Sequence, residues 1–474
     1  MILTLAFRSL ATRPLRSGVL AAGFGLGIAV MAALLGVGEV ILEQARSPAL
    51  AGGGDLVVAG SSGSVDSARF LMAHVIGSDR LRPRTAAASP SRKASLYLVA
   101  KHGDAIPISV RGAIPSLQRA VGDPEVTSQS SWIDALSDAD WTRPSSGDIL
   151  RAMDRFHPVP HNSSQTTSSS WAEWLYFNGR TRDGRIRFYL TFLVGEGGGG
   201  TRPAIVRLQL DYRGRSTNYS AASRIDEPAV LERAPDLDIA GNHVRLEGSR
   251  YLMRLALQKE GGAGTAVGEI ALDASPGAAL PPATIHGARG WVTGYVVPVL
   301  SGAIHGTLTV DGERLALDDA TGYHDHNWGF WNDVHWQWGQ VAGGDLSIVW
   351  GRVFPPSSVV DPDRMPGLLA VLGPDGPIAF STNVAIAEVS DGSTPNEITV
   401  RATGDAIDLT LTFSVAERVR TRLSMIQIAT TTAPMDFLQL GGVYRVAGRA
   451  GGRTIAFTAR GAAETFRPSS SLER

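Results

Sequence analysis

Apolar and polar residues alternate in short runs over most of this chain, and turn-forming residues separate the runs. Ile186, Phe188, Leu190 and Phe192 lie at every second position, which places them on one face of a strand. Residues 179–184, just before them, have the composition of a hairpin connection. Many short segments of this kind predict an all-β fold of sandwiches or barrels.

The predicted strands are too numerous for one small barrel. We therefore predict two successive β-domains, over 136–285 and 286–474, joined near the proline-containing stretch 275–290. A helix is expected over 140–156, where apolar residues recur at helical spacing. The predicted strands cover 171–178, 185–194, 203–210, 243–246, 251–258, 267–272, 291–299, 303–310, 313–319, 335–342, 345–353, 367–373, 377–388, 397–402, 406–415, 436–448 and 452–463.

Residues 1–45 are predicted to form a cytoplasmic tip and a transmembrane anchor helix. The twenty residues from Val19 to Gly38 carry no charge, which is enough for a helix that spans the hydrocarbon core. Arg8, Arg13 and Arg16 precede this segment, so the positive-inside rule places the amino terminus in the cytoplasm and the body outside the cell membrane. A cleaved signal peptide is the alternative, but its apolar run would be only ~7–15 residues long.

Composition removes several classes of function. The net charge is −1, charged residues make up 19% of the chain, and it has no Lys/Arg-rich tract, so we expect no nucleic-acid partner. The chain has no cysteine, which excludes disulfides, thiolate zinc sites and cysteine nucleophiles. Residues 46–135 have a mixed composition and are predicted to be a small spacer.

The densest group of titratable and aromatic residues runs from Gly322 to Trp338 and holds four of the ten tryptophans. In a strand, Tyr323, Asp325 and Asn327 would share one face, with the intervening residues on the other. If the Asp325 face meets an apolar cavity, desolvation raises the pKa of Asp325 and makes it a usable proton donor.

Alternatives stay open for these residues. Asp325 could be a catalytic acid, a hydrogen-bonding group for a ligand, or a structural carboxylate. The tryptophans could line a cavity or belong to the core. His324 and His326 share a strand face and could bind zinc or iron with a third ligand such as His335, but no clear ligand pattern supports this. We expect no metal and no cofactor. Glu173 is expected to serve barrel closure.

Two motifs resemble the carotenoid 1,2-hydratase family, also described as AttH-like or lipocalin-like. They are Trp171-Ala172-Glu173-Trp174-Leu175-Tyr176-Phe177-Asn178-Gly179 and Gly322-Tyr323-His324-Asp325-His326-Asn327-Trp328-Gly329. Gly294-Tyr295-Val296-Val297-Pro298 resembles the segment that leads up to the second motif. The resemblance covers residues 140–474 and implies two tandem lipocalin-like β-barrels.

The resemblance also implies a reaction. Hydratases of this family add water to the terminal double bond of an acyclic carotenoid. By analogy, Asp325 is the acid, Tyr323 positions it, and Trp328 or Tyr295 faces the cation. The residues expected to bind the apolar ligand are Tyr295, His324, His326, Asn327, Trp328, Trp331, His335, Trp336, Trp338 and Trp174.

The first 125 residues resemble the start of the permease subunits of macrolide-exporter-type ABC transporters. Leu5–Leu10 and Arg13–Gly18 match the family's beginning, residues 55–58 its first extracytoplasmic strand, and residues 96–99 and 106–112 a later part. ABC transporter subunits are therefore a candidate partner. Two functions follow: a membrane-tethered hydratase, lyase or isomerase acting on an isoprenoid-like substrate, or a non-enzymatic carrier of a lipid or hydrophobic metabolite for an exporter.

Overall fold

The computed structural model of the protein describes residues 55–59, 68–77, 81–99, 105–142, 145–160, 170–274, 279–361, 365–374, 376–391, 394–423 and 435–468. The predicted anchor at 19–38 lies outside these residues. Among the residues described, no helix has the length and apolar character needed to cross a membrane.

Among the described residues, helices are few and short. They are α1 (Ala68–Gly77), α2 (Pro115–Ala120), α3 (Pro124–Thr127), α4 (Ala139–Thr142), α5 (Ser146–Met153) and α6 (Glu227–Arg233), with 3-10 turns at Arg82–Arg84, Leu136–Asp138 and Ala288–Gly290. The helix predicted over 140–156 is thus two helices, α4 and α5. Ser145 and Asp148 form a capping box that begins α5.

One compact unit contains the described residues 55–59 and 81–138. Strands β1 (Ser91–Val99) and β2 (Ala105–Ala113) form an antiparallel pair in it. Asp123 caps α3 by accepting hydrogen bonds from the backbone N–H groups of Glu125 and Val126. Residues 55–59, where a strand was expected, form none.

The second unit contains α1 and the described residues from 139 onward. Its first sheet has twelve strands. They are β3 (Trp171–Arg180), β4 (Ile186–Gly195), β5 (Thr201–Tyr212), β6 (Arg215–Asp226), β7 (Leu237–Ile239), β8 (Asn242–Glu247), β9 (Arg250–Lys259), β10 (Thr265–Asp273), β11 (Leu280–His286), β12 (Val292–Val310), β13 (Glu313–Ala316) and β14 (Ala320–Phe330).

Eight of these strands close an antiparallel barrel. Going around it, β3, β4, β5, β6, β9, β10, β12 and β14 follow one another in chain order, and β14 pairs with β3. This up-and-down arrangement is the one found in lipocalins, so the predicted lipocalin-like architecture is confirmed for this barrel. Most of the interior is apolar and includes Phe177, Phe188, Leu190 and Phe192.

A second, nine-stranded sheet follows. It consists of β15 (His335–Gly343), β16 (Leu346–Phe354), β17 (Leu368–Gly373), β18 (Gly376–Ser381), β19 (Asn383–Asp391), β20 (Thr394–Gly404), β21 (Ile407–Leu423), β22 (Met435–Ala450) and β23 (Arg453–Pro468). β15 pairs with β23, and β18 and β19 are the two end strands. Val371, near one end, and Ile398, near the other, share one core with Trp350, so the sheet curls around its own interior. It is barrel-like, but no described ladder joins β18 to β19.

The sheets divide at a different place from the one expected. We predicted that the second β-domain begins at residue 286, near the prolines. The structure continues the first barrel through β12 and β14 to Phe330, and the second sheet begins at His335. The barrel needs β12 and β14 because β14 closes it against β3. Pro281 and Pro282 therefore lie within an edge strand, β11, and not at a domain joint.

Candidate functional site

Strand β14 carries a dense group of buried polar and titratable side chains, because both of its faces are buried. It lies between β12 and β3, with Asp325 opposite Tyr176 in the ladder. As predicted, Tyr323, Asp325 and Asn327 share one face and His324 shares the other with His326. The first face points to a layer between the barrel and the second sheet, which we call the seam. The other points into the barrel.

Hydrogen bonds fix the Asp325 carboxyl group in the seam. The hydroxyl of Tyr323 donates to Oδ2 at 2.8 Å, and Nδ2 of Asn327 donates to Oδ1 at 2.6 Å. The hydroxyl groups of Tyr295 and Tyr323 are 2.7 Å apart. Nε1 of Trp338, from the second sheet, donates to the Tyr295 hydroxyl at 3.0 Å. A chain of hydrogen bonds thus runs from the second sheet to the carboxyl group.

Asp325 is only 5% exposed. Burial raises its pKa well above the usual value, and the charge of Glu464 adds to the rise, while the hydrogen bonds from Tyr323 and Asn327 act in the opposite direction. The balance favours the neutral acid. Burial also raises the pKa values of Tyr295 and Tyr323, so these phenols stay protonated.

The second sheet contributes a second carboxyl group to the seam. Glu464 on β23 is 7% exposed, and the hydroxyl of Tyr176 on β3 donates to its Oε1 in a very short hydrogen bond. Burial raises the pKa of Glu464 to about 7, and the bond from Tyr176 limits the rise. The sequence analysis did not identify Glu464, because it lies on a long strand far along the chain from Asp325.

Apolar and aromatic side chains fill the rest of the seam. The rings of Tyr323 and Trp338 meet edge to face with centroids 4.9 Å apart. The layer between the two sheets contains Tyr176, Tyr189, Leu280, Val297, Leu300, Tyr323, Trp338, Val349, Ala370 and Leu372. The surroundings of Asp325 are therefore largely apolar, but closely packed side chains occupy the place where a cavity was expected.

The opposite face of β14 joins a fully buried ion cluster at the α5 end of the barrel. Nδ1 of His324 lies 3.0 Å from the carbonyl oxygen of Tyr176, and its Nε2 lies 3.1 Å from Oδ2 of Asp154. The Tyr251 hydroxyl donates to the same oxygen at 2.5 Å. Asp154 directly follows α5, so the helix delivers this carboxylate to the barrel interior.

His326 is held as an imidazolium. Its Nδ1 lies 3.2 Å from the carbonyl oxygen of Met153, and its Nε2 lies 2.9 Å from Oε1 of Glu173. Both partners are acceptors, so both ring nitrogens donate. Burial alone would lower the pKa of His326, but the hydrogen bond and charge of Glu173 and the charge of Asp154 outweigh it and raise the pKa. Burial would raise the pKa of Glu173, but the histidines at 157 and 326 bring it below the usual value.

His157, Glu173 and His326 are the donor set that best matches a metal site among the described residues. Their ligand atoms lie within 4.8 Å of one another, and three protein ligands are typical of catalytic zinc. Hydrogen bonds already join them, however: Nδ1 of His157 lies 2.7 Å from Oε1 of Glu173. These hydrogen bonds account for the short distances between the three side chains. His324 and His335, considered earlier as ligands, are not in this group.

The remaining predicted ligand-binding residues are dispersed. Trp328 stacks on His157 inside the barrel at 4.5 Å. Trp331 packs on Trp174 at 4.6 Å and donates to a backbone carbonyl. Trp336 stacks on Phe466 at 4.4 Å, and His335 stacks on Phe354 at 5.0 Å. Of the predicted tryptophans, only Trp338 reaches the hydrogen-bond chain of Asp325.

Two surface clefts lie away from the seam. One has a volume of about 520 Å³ and is lined by β8, β9 and β10, including His243 and Met253. The other, of about 430 Å³, lies beside the β3–β4 hairpin and contains Asp183. Neither is lined by Asp325, whose exposed fraction is only 5%.

Comparison with known proteins gives distant similarities only. No protein-family model and no curated protein matches the sequence. A solved structure of an AttH protein from Nitrosomonas europaea is 15% identical with a TM-score of 0.42, covering 65% of this chain and 98% of that chain. A structure of CghA with Sch210972 is 11% identical with a TM-score of 0.41, covering 67% of this chain and 97% of that one. Similarity this distant does not transfer a function.

Proposed function

We propose that this protein is a membrane-anchored acid catalyst that protonates a carbon–carbon double bond of a long, apolar, isoprenoid-like substrate in the seam, and so hydrates or isomerises it. The observation that carries the proposal is the buried Asp325 carboxyl group, which is held by Tyr323 and Asn327 and whose pKa burial raises well above the usual value. A neutral carboxylic acid at ordinary pH is a proton donor matched to this task.

The chemistry follows from the groups in the seam. The proton of Asp325 moves to one alkene carbon, the π electrons form the new C–H bond, and the other carbon becomes cationic. The rings of Tyr176, Tyr323 and Trp338 provide aromatic faces for that cation. In hydration, water adds to the cationic carbon and releases one proton; in isomerisation, a carbon next to the cation releases a different proton. The released proton passes to solvent and Asp325 takes up one proton from solvent, so the number of protons is unchanged.

The substrate must separate the sheets locally, because Asp325 is only 5% exposed. Polar contacts hold the sheets together at the rim, including an ion pair from Arg187 to Glu417 and a 3.1 Å hydrogen bond from Gln340 to Asn178. Arg187 is only 14% exposed and Glu417 is 39% exposed, so water reaches one end of this ion pair. Opening at the rim breaks these side-chain contacts and leaves the backbone ladders of both sheets intact.

The test measures proton transfer directly. The full chain in detergent is incubated in deuterium oxide with an acyclic carotenoid or squalene, and the lipid is analysed by mass spectrometry. We expect wild type to place deuterium on carbon and Asp325→Asn to lose at least about 100-fold of that rate, as for removal of a general acid. Asp345→Asn is the matched control, because Asp345 forms an exposed ion pair with Arg453. Equal deuteration by wild type and Asp325→Asn would refute the proposal.

A non-enzymatic carrier is the second candidate. Asp325 and Glu464 already accept hydrogen bonds from other side chains of the seam, and the two segments that resemble a permease, 96–99 and 106–112, pair in one hairpin. A carrier partnered with an ABC exporter would co-purify with an apolar molecule. Wild type and Asp325→Asn would then bind that molecule equally and return it chemically unchanged.

A further inference from the structure

One row of side chains on the second sheet faces the seam. Trp338, Glu464 and Gln439 are ladder partners across β15, β23 and β22, and directly paired residues project to the same face of a sheet. On the barrel side, Tyr176 is the ladder partner of Asp325 and the hydrogen-bond donor to Glu464. A single tyrosine therefore connects the two carboxyl groups.

Glu464 has an unusual set of neighbours for a buried carboxyl group. Within the described parts of the chain, it forms no ion pair with a lysine, arginine or histidine, and its hydrogen-bond donor is Tyr176. A buried carboxylate normally requires a cation or several donors. The charge of Glu464 also raises the pKa of Asp325, so the two groups are electrostatically coupled.

A second observation concerns Gln439, which is 3% exposed. Its Oε1 atom is buried and has no hydrogen-bond partner in the described structure. Two neighbouring acceptors, Oε1 of Gln439 and the carboxylate of Glu464, are complementary to one molecule that donates two hydrogen bonds. Water is the smallest such molecule, and buried waters typically bridge polar groups left unpaired in this way.

We propose that Glu464 is the general base of the reaction, that it binds and deprotonates the attacking water together with Gln439, and that Tyr176 is its positioning residue. This inference rests on the proposed function and adds the second half of the mechanism. Two carboxyl groups with different environments divide the roles: Asp325 stays neutral and gives a proton, whereas Glu464 titrates at about 7 and can accept one.

The step balances. After Asp325 has protonated the alkene, a lone pair of the water oxygen forms the C–O bond at the cationic carbon. The water loses one proton to the carboxylate of Glu464. The product is a tertiary alcohol, and the net change is addition of one water molecule. Transfer of one proton from Glu464 to Asp325 through solvent restores both groups.

A double-label experiment separates this inference from the proposed function. The full chain is incubated with an acyclic carotenoid in deuterium oxide enriched in heavy oxygen, and deuterium on carbon and heavy oxygen in the product are measured together. Wild type should incorporate both labels. Glu464→Gln should retain deuterium but lose heavy oxygen by about 100-fold or more, the usual contribution of a general base. Asp325→Asn should lose both.

Each result decides something. If Glu464→Gln incorporates heavy oxygen like wild type, Glu464 is not the base, although the proposed acid catalysis stands. If wild type incorporates neither label, the proposed function fails and this inference fails with it. If Glu464→Gln loses both labels while its circular dichroism is that of wild type, Glu464 is needed for protonation itself and the division of roles is wrong.

The pH dependence of wild type gives a second measurement that needs no variant at Glu464. The ratio of heavy oxygen to deuterium in the product should fall as the pH drops below about 7, because Glu464 becomes protonated and can no longer act as a base. Tyr176→Phe removes the hydrogen bond that lowers the pKa of Glu464. In this variant, the fall in the ratio of heavy oxygen to deuterium should therefore occur at higher pH. Tyr444→Phe is the control, because Tyr444 is a buried phenol of the second sheet's own core. If Tyr176→Phe does not change the pH at which this ratio falls, Tyr176 does not position Glu464.

Discussion

At Asp325, burial outweighs two hydrogen bonds that would favour the ionised carboxylate. The same strand shows the opposite result one residue away, where His326 keeps its charge despite complete burial because Glu173 and Asp154 face it. Residue identity alone therefore does not decide the charge state. The number and sign of the groups that face each side chain decide it.

The raised pKa of Asp325 has a consequence for stability. In the unfolded chain an aspartate titrates at about 3.9, so at higher pH the folded state binds more protons and stability falls as the pH rises. Asparagine has no such dependence. We expect the melting temperature of Asp325→Asn, relative to wild type, to increase between about pH 5 and about pH 8 by the same linkage. A difference that stays constant or decreases over this range would contradict a neutral Asp325.

The buried ion cluster should tolerate loss of a partner poorly. Glu173→Gln leaves the His326 imidazolium without its main counter-charge, and breaking a buried pair costs about 3–5 kcal/mol. Asp238→Asn is the matched control, since Asp238 and His243 form an exposed pair on the same barrel, worth less than ~1 kcal/mol. Urea unfolding of the two variants measures both values, and equal small losses would show that the cluster contributes little.

The pH dependence of this pair has two limits. The lowered pKa of Glu173 gives stability that is lost as the pH falls through that pKa in acid. The raised pKa of His326 gives stability that is present below about 6.5 and lost as the pH rises through the raised value. The free energy of unfolding of wild type should therefore fall at both low and high pH. That of Glu173→Gln should fall less at each.

Part of the site could be predicted at the residue scale. Alternation alone placed Tyr323, Asp325 and Asn327 on one face, because side chains on a strand have a period of two. Nothing local indicated that Asp154 would meet His324 or that Glu464 would lie near Asp325. Those contacts depend on which strands become neighbours, and this is decided by barrel closure and by the packing of the second sheet.

At the element scale, glycines allow β12 and β14 to approach each other. A Cβ atom at Gly294 on β12 would overlap the indole of Trp328. Gly294→Ala should therefore displace Trp328 from His157 and destabilise the barrel by about 1–3 kcal/mol, the usual cost of overpacking. Gly112→Ala on β2 is the control, because a Cβ there meets no atom within 4 Å. Tryptophan fluorescence and unfolding curves distinguish the two variants. Equal fluorescence and equal stability would contradict the close packing of Trp328 against Gly294.

Sequence pattern predicted most strands, and its failures have physical causes. β6 was missed because it is largely polar, and Tyr219 is its one buried residue. Segments 291–299 and 303–310 proved to be one strand, β12, whose pairing with β14 shifts register twice. The segment 377–388 is two strands, β18 and β19. Alternation detects half-buried strands and is insensitive to strands with two buried or two polar faces.

At the scale of the whole molecule, the proposed activity requires the two sheets of the seam to separate. The chain has no cysteine, so Arg187→Cys with Glu417→Cys creates the only thiols, at an ion pair that crosses the seam. A short bifunctional maleimide should abolish deuteration of a long polyene by the doubly substituted protein. Each single variant treated with the reagent is the control. Unchanged turnover after complete cross-linking would show that substrate does not enter there.

The proposed anchor makes a separate prediction about the whole chain. Residues 19–38 should keep the protein in the membrane fraction after alkaline carbonate washing, and a reporter fused to the carboxyl end should be active only outside the cytoplasm. A variant without residues 1–45 should be released. Release of the intact chain by carbonate would contradict the anchor.

The central claim is that Asp325 is a neutral acid in the folded protein, and infrared spectroscopy tests it most directly. Spectra of wild type and Asp325→Asn are compared at about pH 6, where an ordinary aspartate is ionised, and the difference between the two spectra isolates Asp325 from Glu464. We predict a protonated-carboxyl C=O band in wild type that Asp325→Asn lacks. A carboxylate band in its place would show that Asp325 is ionised, and the acid-catalysis account would then be wrong.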